Sequence, residues 1–101
     1  MSSNVTRDKV LKLSYVFMHM LNEAYPEFEY EREICRTEGL SVYFKRKNFQ
    51  KGDWTIRISD HPFGNDKFRV RSNYFYLKHK DINDEDKLRT AISYLRWNGR
   101  N

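Results

Sequence analysis

The chain has 101 residues and a net charge of +5, with 39% hydrophobic, 16% aromatic and 33% charged residues. That length suits one domain, residues 1–101, around one core, and apolar residues that recur periodically exclude a disordered chain. No apolar run exceeds four residues, the length of the one from Tyr15 to Met18, against the ~20 that a membrane-spanning helix needs, so neither a membrane segment nor a signal peptide after Met1-Ser2-Ser3-Asn4 is expected.

A helix is predicted over residues 5–25. Val10, Leu13, Phe17, Met20, Leu21 and Ala24 recur at helical spacing, and Leu11, Tyr15 and Met18 widen the stripe. Pro26 disfavours helical geometry at the residue before it, which ends the helix. Residues 27–36 read as a first strand, because Phe28, Tyr30 and Ile34 alternate with Glu27, Glu29, Glu31 and Glu33. Glutamate is a poor strand former, so a helical piece is the alternative. The glutamates are placed to pair across the sheet with basic neighbours.

Residues 40–77 carry three further strands. Leu40, Val42 and Phe44 oppose Ser41, Tyr43 and Lys45; Trp54, Ile56 and Ile58 oppose Thr55, Arg57 and Ser59. Over residues 68–77 the reading places Phe68, Val70, Tyr74 and Tyr76 opposite Arg69, Arg71, Asn73 and Phe75. One sheet face is then apolar and the other basic. The loop between the first two of these strands holds Lys45, Arg46, Lys47 and Lys51 around Phe49, a pattern suited to phosphate contact and base stacking. Ser59, Asp60 and His61 are adjacent, and adjacent residues rarely make a catalytic triad; Asp60 is expected to bond the backbone of its own turn, with Pro62 and Gly64-Asn65-Asp66 completing it. A polar loop is expected at residues 78–81. A last helix runs from Asn83 or Asp84 to about residue 97, with Asp84, Glu85 and Asp86 at its positive end, Leu88, Ala91, Ile92 and Leu95 as its buried stripe, and Gly99 as its stop.

The fold expected is α+β: an antiparallel sheet of three or four strands with N- and C-terminal helices packed on one face, in the order α-β-β-β-β-α. The other face is expected to stay open and to carry Tyr43, Lys45, Arg57, Arg69, Arg71 and Asn73. The element order is similar to that of double-stranded-RNA-binding domains. In that family a lysine cluster at the start of the last helix meets phosphates; here Asp84, Glu85 and Asp86 stand there, so only the order is shared.

Charge is unevenly spread. Residues 27–39 carry net −3, and residues 40–80 carry net +7. Such a field attracts nucleic acid or acidic protein surfaces. The four glycines are isolated, no histidine or cysteine spacing suits a metal, and no nucleophile has a neighbouring base. No catalytic residue, metal or other cofactor is therefore expected, and no enzyme. Cys35 is the only cysteine, which fits a reducing cytoplasm.

The run Arg57-Ile58-Ser59-Asp60-His61-Pro62 resembles a short motif found after a strand in small, uncharacterised proteins of phages and other mobile elements. The resemblance implies a small accessory or counter-defence protein. Two functions follow as expectations. One is a non-enzymatic module binding DNA or RNA, with Arg57, Arg69, Arg71 and the lysines of residues 45–51 on phosphates and Tyr43 or Phe49 stacking. The other is an inhibitor that binds a host protein complex, such as a nuclease, through the acidic stretch. A homodimer formed at a sheet edge is compatible with either.

Overall fold

The computed structural model describes residues 4–36, 40–50, 52–60 and 73–96. Helix α1 spans Asn4–Ala24; strands β1 (Tyr30–Cys35), β2 (Ser41–Arg46), β3 (Trp54–Ser59) and β4 (Asn73–Leu77) follow; a 3-10 helix, His79–Asn83, leads into helix α2, Glu85–Arg96. The strands form one sheet in the order β1-β2-β3-β4.

The expected α+β class holds, but the sheet is mixed. β1–β2 and β2–β3 are antiparallel, whereas β3 and β4 run parallel. Alternation of side chains says which face a residue takes and nothing about strand direction. The connection must be long enough to permit the direction taken. With β4 beginning at Asn73, thirteen residues separate it from Ser59, and a parallel neighbour needs a crossover of a dozen or more.

The core explains why these elements form. Val10, Leu13, Phe17 and Leu21 of α1 are buried, as are Leu88, Ala91, Ile92 and Leu95 of α2. They cover Val42, Phe44, Ile56, Ile58 and Leu77. Phe17 meets Phe44 edge-on at 4.9 Å, while Tyr94 of α2 stacks on Trp54 at 4.5 Å and leans on Phe75 at 5.2 Å. Both helices therefore pack on the same sheet face. Tyr15 and Ala24, expected in the α1 stripe, are exposed instead; the Tyr15 ring lies under the Arg32 guanidinium, 5.5 Å away.

Three more expectations change. In β4, Phe75 and Leu77 pair with Ile56 and Ile58 on the core face, so Tyr74 and Tyr76 fall on the other one. The run Tyr-Phe-Tyr-Leu is apolar at every position, and its period does not choose a face. Asn73 pairs with Trp54, not with the basic row. The expected polar loop at 78–81 is the start of the 3-10 helix, organised by Asp81. Its buried carboxylate accepts the Lys78 amide at 2.8 Å and meets Lys87 Nζ at 2.9 Å. Asp84 caps α2 as expected, accepting the Lys87 amide at 3.1 Å; Asn83 belongs to the 3-10 helix. The expected turns at residues 37–39 and 61–66, the first part of the strand expected at 68–77, and Gly99 lie outside the described residues. No helix among the described residues is long and apolar enough to cross a membrane.

Candidate nucleic-acid interface

The face turned away from the helices is built from alternate residues of four strands. One row crosses the whole sheet: Glu33 beside Tyr43, Tyr43 beside Arg57, Arg57 beside Tyr76. Arg57 sits in the inner strand β3 and has a tyrosine on each side. Its guanidinium carbon is 5.7 Å from the Tyr43 ring centre and 5.7 Å from that of Tyr76. Its Nη2 also donates to Ser41 Oγ at 3.5 Å, and Ser41 in turn donates to Ser59 Oγ at 2.9 Å. Tyr74 completes the cluster, edge-on to Tyr43 at 6.4 Å and stacked with Tyr76 at 5.8 Å.

Burial divides this face. Arg57 is only 5% exposed, and Ser41, Thr55 and Ser59 are buried with it. The expectation of an open face with Arg57 reaching phosphates is therefore corrected: the middle of the face is closed over a cation. The tyrosines are half-buried. A buried guanidinium is tolerated where ring faces and hydroxyls replace its hydration.

At the end of β2 the chain turns through residues 47–50. Lys45 Nζ lies over the Phe49 ring at 5.5 Å and 4.0 Å from Glu31. Lys47 pairs with Glu29 at 3.3 Å, and Arg46 lies over Phe28 at 5.9 Å. The expected cross-sheet pairing of glutamates with basic residues is thus present. It also means that three of the basic side chains expected at this site already have partners. Gly52 closes the loop in the left-handed region at φ 95°, a conformation glycine adopts without steric cost. Buried Asp53 accepts the Gln50 amide at 2.8 Å, and Asn73 Nδ2 donates to Gly52 O at 3.1 Å. Asn73 therefore ties the loop to β4 and takes no place in the aromatic row. Lys51, Arg69 and Arg71, the other expected contacts, lie outside the described residues.

Two features were not anticipated. Asp60 holds His79: Oδ1 accepts the His79 amide at 3.3 Å, and Oδ2 pairs with His79 Nδ1; the bonds expected within its own turn fall on residues 61–66, outside the described residues. The second feature is a cleft of about 500 Å³ lined by Tyr25, Phe28, Arg46, Lys47 and Arg96, among others. Arg96 lies over Tyr25 at 5.5 Å. Among the described residues no three histidine, cysteine or acidic side chains converge as a metal site would require.

No protein-family model matches the sequence, and comparison with curated proteins and with solved structures finds no significant match.

Proposed function

We propose that this chain is a nucleic-acid-binding module working through the helix-free sheet face and the 45–50 loop. The observation that carries this reading is the cluster of Tyr43, Tyr74 and Tyr76 around Arg57, flanked by Lys45 on Phe49. Partly exposed tyrosines supply stacking, and neighbouring cations supply phosphate contacts. The net +7 of residues 40–80 favours approach of a polyanion. Binding of this kind needs no nucleophile, cofactor or metal. The likeness of residues 57–62 to a mobile-element motif supports an accessory or counter-defence role for it, and the single cysteine suits a cytoplasmic setting.

A second reading, binding to a host protein complex, is favoured by the Glu29–Lys47 and Glu31–Lys45 pairs, which reduce the free positive charge beside the platform. Fluorescence anisotropy with labelled DNA and RNA across a salt series separates the two. Nucleic-acid binding predicts an affinity that falls linearly on a log–log plot, by about 0.7–0.9 per phosphate engaged. Absence of binding at low salt sinks it and leaves the protein partner to be found by affinity purification.

A further inference from the structure

We infer that the ligand of the helix-free face is single-stranded nucleic acid, its unpaired bases stacked on Tyr43, Tyr74 and Tyr76, with Arg57 as a positioning residue beneath them. The inference rests on the nucleic-acid reading and narrows it.

The argument starts from burial. A cation that contacts phosphate must reach the ligand surface. Arg57, in the centre of this face, is 5% exposed and is occupied by two rings and the Ser41 hydroxyl. It contributes to binding through the rings it holds. What this face offers outward is the partly exposed tyrosine surface, arranged at centre-to-centre spacings of 5.8 Å and 6.4 Å. Within a duplex, base faces are covered by neighbouring bases, and only edges and phosphates can be reached. A platform of rings therefore distinguishes unpaired from paired bases by chemistry alone. Stacking is tolerant of sequence, because every base has a π-face. Phosphate contacts are left to the rim, where Lys45 rests on Phe49.

Glu33 lies beside Tyr43 in the same row, and Glu31 beside Lys45. These carboxylates disfavour a phosphate chain running over β1. The strand's path is therefore confined to β2, β3 and β4, where the rings are.

The test uses the full chain with fluorescein-labelled 15-mers: oligo-dT, oligo-U, and a mixed-sequence DNA duplex. Anisotropy is read at several salt concentrations. Either single strand should bind at least about tenfold tighter than the duplex, and the tighter one names the natural source. Tyr74→Leu, which removes the ring on the edge strand, should weaken single-strand binding by roughly ten- to a hundred-fold, the range of one lost base stack, and leave duplex binding unchanged. Arg57→Met should weaken single-strand binding while keeping the salt slope, as a positioning role requires; a direct phosphate contact would reduce the slope by about 0.7. Circular dichroism verifies folding, and Tyr74→Phe, which keeps the ring, should bind as the parent chain does. Equal binding of duplex and single strand, or an unaffected Tyr74→Leu, overturns the inference while leaving the nucleic-acid reading in place. A reduced slope in Arg57→Met overturns the positioning role. Failure of all three probes to bind removes the nucleic-acid reading itself, and this inference with it.

Discussion

Asp81 shows how much one side chain can organise. Burial by itself would raise the pKa of its carboxyl. Hydrogen bonds from the Lys78 amide and the Lys87 ammonium, with the charges of Lys87 and Lys80, outweigh burial and hold it below its ordinary 3.8. A depressed folded-state pKa stabilises the fold above the unfolded value. That stability is lost as pH falls below about 4, through the folded pKa. Asp81→Asn should therefore cost about 1–2 kcal/mol near neutral pH. The deficit relative to the parent should shrink in thermal melts as pH is lowered below 4; a deficit independent of pH would contradict this account.

His79 and Asp60 make the corresponding long-range contact. Offset by nineteen, Trp54 pairs with Asn73 and Ile58 with Leu77, and the same offset sets Asp60 beside His79 just past the strand ends. A double-mutant cycle with Asp60→Asn and His79→Gln should give a coupling energy of about 1 kcal/mol in denaturant melts. Additive effects would show that the pair contributes nothing beyond its separate members. Neither residue was legible as a partner of the other in the sequence, because the contact exists only once β3 and β4 are parallel and in register.

Among the elements, the clearest in the sequence were those that bury one face at a regular period. The α1 positions Val10, Leu13, Phe17 and Leu21 and the alternating faces of β2 and β3 lie where the spacing put them. Phe44 is at the centre, touched by Phe17 at 4.9 Å and by Tyr30 at 5.8 Å. Phe44→Ala should cost about 3–5 kcal/mol of unfolding free energy, since both the transfer free energy and a cavity are at stake. A loss under about 1 kcal/mol would mean that the helices are not packed on β2 as described. The cap of α2 was legible too, because an acidic residue just before a helical stripe accepts amides that have no partner within the helix. β4 was the exception. Its residues are apolar on both sides, so only contact with Ile56 and Ile58 selects Phe75 and Leu77 for the core.

At the scale of the whole molecule, charge and aromatic surface meet on one side of the sheet. Acidic β1 lies against basic β2, with Glu31 facing Lys45 and Glu29 near Lys47. Exposed pairs of this kind contribute only about 0–1 kcal/mol, so a phosphate chain can displace the carboxylates at small cost. Glu31→Gln should tighten nucleic-acid binding a few-fold at low salt, as measured by anisotropy, and the gain should fade as salt rises. Unchanged or weaker binding would argue that Lys45 makes no phosphate contact.

Period and composition determined the helices, most of the strands, the apolar core and the local excess of positive charge, since these depend on neighbours a few residues apart. The tertiary structure alone decided the parallel direction of β4, the face taken by Tyr74 and Tyr76, the burial of Arg57 between two rings, and the meeting of Asp60 with His79. Those features join residues fourteen to nineteen positions apart across a mixed sheet. Side-chain alternation carries no information about strand direction, and a cation in sequence carries none about whether its neighbours in space will be water or tyrosine.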